Sequence, residues 1–107
     1  PDGAEDWAQT KPKQDNTLIK AIVRAKRWQK MLEDGKIPSS RQLAEREKTN
    51  PSYLARILRL TLLAPDIVEA IINGRQPKGL LLADLLKPFP VEWDRQRASF
   101  GFSEKVY

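Results

Sequence analysis

From Leu18 to Leu32 the apolar residues return every three or four positions, so that Leu18, Ile22, Ala25, Trp28 and Leu32 share one face. Ile19, Val23 and Met31 widen that face, while Lys20, Arg24, Arg27 and Lys30 occupy the other side. This period predicts an amphipathic helix from Leu18 to about Glu33. Asn16 and Thr17 supply its cap, and Gly35 suits the left-handed position just past its end.

Ile37-Pro38-Ser39-Ser40 interrupts the pattern and restarts it. A second helix is expected from about Ser40 to Glu47, with Leu43 and the small Ala44 facing inward. Ser39, three residues before Gln42, forms a capping-box pattern at its start. Lys48-Thr49-Asn50 is the turn. Asn50 can cap a third helix, and Pro51 takes its first position, where a missing N–H does no harm. Leu54, Ile57 and Leu58 give the i, i+3, i+4 stripe that packs this helix down, while Ser52, Tyr53, Arg56 and Arg59 face outward. The layout of residues 40–60 is that of a helix-turn-helix, a motif that commonly places a short helix in the major groove of DNA. Two features depart from the common pattern: Lys48 stands where a glycine is often found, and Thr49 where an aliphatic residue often plugs the core. The alternative is a structural helix pair with a solvated basic face.

Beyond Leu60, Thr61-Leu62-Leu63-Ala64 reads as a short apolar bend. Pro65-Asp66 opens a helix whose buried face is Ile67, Val68, Ile71 and Ile72, and Asn73-Gly74 stops it. Leucines at 80, 81, 82, 85 and 86 predict a short, largely buried helix from Leu80 to Lys87. Pro90 then opens a last helix to about Phe100, with Trp93 and Arg97 flanking its inner edge, and Gly101 ends it. Phe100, Phe102 and Tyr107 are placed either to latch onto the core or to form a partner surface. Nowhere does strict alternation support a strand, so the expected fold is all-α, a compact bundle of five or six short helices. Residues 1–16 show no apolar period and read as a flexible tail or linker, with Trp7 as an aromatic that is either exposed or docked. Residues 17–107 form the expected helical domain.

Composition narrows the chemistry. A chain of 107 residues makes one domain with a modest core. It holds no cysteine and no histidine, which excludes disulfides, thiolate zinc sites and imidazole catalysis. The serines have no evident base, and Glu45/Glu47 and Glu92/Asp94 are i, i+2 pairs that do not share a helix face. No enzyme activity, cofactor or metal is therefore expected. No apolar run approaches the ~18 residues of a membrane span and no signal peptide opens the chain, so a cytoplasmic, nucleoid-associated protein is expected. The opening residue is Pro1, not methionine, which is compatible with a piece of a longer protein.

The net charge of +5 is unevenly spread. Residues 18–60 carry eleven Lys/Arg against four acids, residues 1–17 are net acidic, and residues 61–107 balance. The positive charge thus coincides with the helix-turn-helix and the helix before it, where a phosphate-binding footprint belongs. Double-stranded DNA is the expected partner. A recognition helix reads bases from its first turns, which makes Ser52, Tyr53 and Arg56 the base-contacting candidates. Tyr53 has the alternative of covering the core, and Arg56 that of a solvated surface residue. Lys48, Arg41 and Arg59, with Lys36 before the motif, are the phosphate candidates.

The stretch L-R-L-T-L-L-A-P-D-I-V-E-A-I-I-N-G-R-Q-P, from Leu58 to Pro77, resembles the helix-turn-helix continuation of ParB/KorB-type DNA-binding proteins. A longer similarity joins I-K-A-I-V-R-A-K-R-W-Q-K-M-L (Ile19–Leu32), L-A-P-D-I-V-E-A-I (Leu63–Ile71) and F-P-V-E-W-D-R-Q-R-A-S-F-G-F (Phe89–Phe102). These segments look like the carboxy-terminal region of serine-type site-specific recombinases of bacterial mobile elements, with Trp93, Gln96 and Arg97 as the most distinctive element. The resemblance implies an accessory DNA-binding region, whose catalytic serine domain lies upstream and outside this sequence. It also implies an upstream catalytic domain or a second copy as partner. Two other readings stay open: a partition or transcription regulator of a plasmid or phage, and a helical protein-interaction module using Trp93–Phe102.

Overall fold

The computed structural model describes residues 15–102, and its regular structure there is entirely helical. Six α-helices follow one another among these residues: α1 (Asn16–Glu33), α2 (Ser40–Glu47), α3 (Pro51–Leu58), α4 (Pro65–Ile72), α5 (Leu82–Leu86) and α6 (Trp93–Phe100). A 3₁₀ turn, Arg59–Leu62, continues α3. The all-helical bundle read from the apolar periods is the observed fold.

Helix α1 is the spine. Its buried Leu18, Ala21, Ile22, Ala25 and Trp28 face α3, the 3₁₀ turn, α4 and α2. Leu43 and Ala44 of α2, Leu54 and Ile57 of α3, and Ile67 and Ile71 of α4 close on that stripe and are all at most 1% exposed. Leu80, Leu85, Phe89 and Phe100 extend the same core, with the Phe89 and Phe100 rings edge-to-face at 5.6 Å.

Several boundaries shift from the expectation. Asp15, not Asn16 or Thr17, caps α1, its carboxylate accepting the Thr17 and Leu18 N–H groups at 3.0 and 3.4 Å. Asp15 and Asn16 therefore belong to the capped helix, and residues 1–14, Trp7 included, lie outside the described residues, as does Tyr107. Val23 does not widen the buried face; it is 57% exposed. The leucine-rich helix is shorter than its composition suggests. The Asp84 carboxylate accepts the Leu81 N–H at 2.9 Å, which starts the helix only at Leu82 and leaves Leu81 60% exposed. Phe100 and Phe102 do pack against the core.

The last helix begins at Trp93, three residues after Pro90. The cause is Gln96, which is fully buried. Its Nε2 donates to the carbonyls of Leu62, Pro90 and Val91 at 3.0, 3.0 and 3.3 Å, and its Oε1 accepts the Ala64 N–H at 2.8 Å. With their carbonyls turned toward that amide, Pro90 and Val91 stay outside the helix. Trp93 is half exposed instead of lying on the inner edge. Arg97 does face inward, and its guanidinium grips the Asp66 carboxylate with Nε at 2.7 Å and Nη2 at 3.0 Å. These hydrogen bonds, ahead of the weaker opposing effect of burial, hold the Asp66 carboxyl below its ordinary range. Gln96 and Arg97 together tie α6 to the segment from Leu62 to Asp66.

Candidate nucleic-acid interface

Local chemistry sets each end of the α2–α3 pair. The Ser39 hydroxyl accepts the Gln42 N–H at 3.2 Å and so caps α2. The Asn50 side chain accepts the Ser52 and Tyr53 N–H groups at 2.7 and 3.2 Å and caps α3, with Pro51 in its first turn. Between them the chain turns through Lys48 in the left-handed region, at φ 55° and ψ 46°. The Thr49 N–H reaches back to the Ala44 carbonyl at 3.0 Å and the Lys48 N–H to Glu45 at 3.2 Å. This pairing is a Schellman ending, which glycine usually serves because it has no Cβ to strain. The same pairing closes α4 at Gly74 and α6 at Gly101. Lys48 thus takes the left-handed conformation that glycine takes at Gly74 and Gly101.

The buried stripe of the pair is Leu43, Ala44, Leu54 and Ile57, and Leu58 is half buried. Beyond Pro51 in its first turn, what faces water on α3 is Ser52, Ala55 and Arg56, which lie at i, i+3 and i+4 on one side. Among the base-contacting candidates, Ser52 and Arg56 are therefore free on the outer face. Tyr53 is half buried and packs against the core, which is the alternative role weighed for it.

The phosphate candidates divide. Lys36, Arg41 and Lys48 are exposed. Arg59 is not free: its guanidinium lies 5.3 Å from the centre of the Phe89 ring, with Nη2 3.5 Å from the Phe89 carbonyl. The Phe89 ring and carbonyl hold the guanidinium; no change of helical face is needed, for Arg59 still lies at i+3 from Arg56. Two other basic side chains of the charged half are also engaged: Arg27 pairs with Glu47 at 3.3 Å, and Arg24 stacks on Trp28 at 5.7 Å.

The residues that sequence reasoning passed over are Ala55, which leaves the outer face of α3 low between Ser52 and Arg56, and the exposed Arg46 on α2. Helical spacing could have found Ala55, since it lies i+3 from Ser52. Among the described residues no cluster of His, Cys, Asp or Glu side chains is arranged to hold a metal ion. No described helix is long and apolar enough to cross a membrane. Scanned against protein-family models, and compared with curated proteins and with solved structures, the chain gives no match.

Proposed function

We propose that the protein binds double-stranded DNA, with α2 and α3 acting as a helix-turn-helix and α3 as the helix that enters the major groove. The observation that carries this reading is the outer face of α3, where Ser52, Ala55 and Arg56 are exposed over a fully buried Leu54–Ile57 stripe. An eight-residue helix is about 12 Å long, comparable with the width of the groove. Arg56 is suited to guanine O6 and N7, Ser52 to either a base edge or a phosphate, and the Ala55 methyl to a thymine methyl. Lys36, Arg41 and Lys48 contact phosphates, which orient the domain without specifying sequence. Arg59, held on Phe89, drops out of that set. Tyr53, half buried against the core, is the weaker of the base-contacting candidates.

Taken with the resemblance of Ile19–Leu32, Leu63–Ile71 and Phe89–Phe102, this makes the chain the accessory DNA-binding region of a serine site-specific recombinase. The catalytic serine then belongs to another domain. A partition or transcription regulator uses the same DNA chemistry and differs in what accompanies the domain.

Fluorescence anisotropy with a labelled duplex tests the reading, first with random sequence and then with a site selected for affinity. Arg56→Ala is expected to cost about 1–3 kcal/mol on the selected site and to relax specificity at one base pair. Lys48→Ala is expected to weaken every duplex alike. Equal losses from both variants on all sequences overturn base reading by Arg56, and no binding at about 50 mM salt overturns DNA binding itself.

A further inference from the structure

An open groove of roughly 800 Å³ lies between α1, the 3₁₀ turn, α4 and the start of α6. Large apolar side chains lining it stand in water: Leu62 is 45% exposed, Ile72 42%, Val91 65% and Trp93 51%. Isolated exposed apolar residues are ordinary, but four around one hollow with a polar rim mark a contact surface. The rim is charged with opposite signs, for α1 contributes Lys26 and α4 contributes Glu69. Among the described residues the ion pairs are Arg27–Glu47 and Arg97–Asp66, so neither rim charge is paired there.

The pattern of charge identifies the occupant. In a two-fold interface each residue i meets j of the other copy, and j meets i. A hollow flanked by one cation and one anion on different helices is complementary to itself, because one rotation forms both Lys26–Glu69 pairs at once. The knob needed to fill the hollow is also present, since Val91 and Trp93 stand exposed at its edge. We propose that this groove is the interface of a symmetric dimer, with Lys26 of each copy paired to Glu69 of the other and Trp93 seated in the neighbouring hollow. Ser52, Arg56, Arg41 and Lys48 do not line the groove, so the pairing does not use the candidate DNA face. It stands or falls independently of DNA binding.

Sedimentation velocity of the full chain without DNA, from about 1 to about 200 µM, brackets the affinities expected of a small interface. The wild-type chain is expected to dimerise within that range. Lys26→Glu and Glu69→Lys each place like charges opposite one another, and each is expected to weaken the homodimer at least about tenfold. An equimolar mixture of the two variants restores both opposite-charge pairs and is expected to dimerise as the wild type does. Trp93→Ala weakens the dimer without a charge change. Both reversals are at exposed positions, and rescue on mixing itself reports that the variants are folded. A wild-type chain that stays monomeric overturns the proposal, which is the result expected if another segment or a foreign partner fills the groove. Dimers indifferent to both reversals, or weakened with no rescue on mixing, overturn it equally.

Discussion

Replacing Gln96 with methionine tests what holds the last helix in place. Methionine keeps the length of the side chain, so the change removes hydrogen bonds without opening a cavity. The orientation of the Gln96 amide follows from its partners: the Ala64 N–H needs an oxygen, and the Leu62, Pro90 and Val91 carbonyls need the NH₂ group. Ala64 is fully buried, so its N–H has no route to water once Oε1 is gone. A stranded buried donor costs about 1–3 kcal/mol, and each lost amide hydrogen bond to a carbonyl a further ~0.5–1.5 kcal/mol. The carbonyl side is only partly buried and recovers some of this from water, while the apolar side chain gains from burial. The net expectation is a loss of about 2–5 kcal/mol, a large share of the ~5–15 kcal/mol that holds a domain of this size together. Urea denaturation followed by circular dichroism measures it as a lowered midpoint at unchanged slope. Gln96→Glu separates the two halves of the network, since it keeps an acceptor for Ala64 but turns a carboxylate toward three carbonyls. That carboxyl should titrate above its ordinary range, so the variant is more stable in acid than at neutral pH and weakens as pH rises through the raised value. A loss below about 1 kcal/mol for Gln96→Met would refute the reasoning, because it would mean that water satisfies Ala64 in place of the side chain.

Asp66→Asn should cost about 1 kcal/mol at neutral pH, in keeping with a partly exposed but two-pronged ion pair. The Asp66 carboxyl lies below its ordinary 3.8, so its contribution is complete above that value and is lost as pH falls through the lower folded one; the two chains should converge in urea as the pH is taken below 3.8. A difference that persists unchanged in acid refutes the ionic origin. Lys48→Gly should move stability and affinity in opposite directions. Relief of the left-handed lysine raises stability by about 0.5–1 kcal/mol in urea, while loss of the ammonium flattens the salt dependence of DNA binding by about one unit. A destabilised glycine variant refutes the strain at Lys48.

Features set by neighbours in sequence were legible, and those set by distant partners were not. The ends of α2 and the start of α3 follow from Ser39, Asn50 and Pro51, each acting within three residues of its own position. The turn was readable in its place but not in its conformation: spacing puts Lys48 where glycine is common, and only the structure shows that its backbone turns left-handed. Arg59 escaped because helical spacing places it with Arg56, whereas its actual partner, Phe89, is thirty residues away. The burial of Gln96 escaped for the same reason, although the resemblance singles the residue out. A lone glutamine in a polar stretch looks solvated, and the backbone groups that bury it lie 32 and 34 residues earlier. Trp93 illustrates the converse error. Its size argues for burial, but Gln96 and Phe100 take the inward positions of α6, and Trp93 at the first turn reaches only the groove beside α4.

The same distinction decides how strongly salt should act on DNA binding. Counting charges along the chain assigns eleven basic residues to the half that holds the candidate interface. If all of them neutralised phosphates, the logarithmic salt slope would be about −10, as steep as that of large repressors. The fold withdraws Arg24 to Trp28, Arg27 to Glu47 and Arg59 to Phe89, and the proposed DNA-binding mode reserves the exposed Arg56 for the bases. Of the seven left, Lys36, Arg41 and Lys48, all exposed, are the proposed phosphate contacts, and Lys20, Lys26, Lys30 and Arg46 lie outside that set. Three contacts give a slope of about −2.7, so affinity for a fixed duplex should fall roughly fortyfold between about 50 and 200 mM salt. If two copies bind one duplex through the Lys26–Glu69 interface, the slope doubles, and Lys26→Glu returns it to the single-copy value. A slope near −10 for the monomeric variant would mean that the stacked and paired arginines let go of the protein to meet DNA, and that the interface is the whole basic surface instead of the α2–α3 pair.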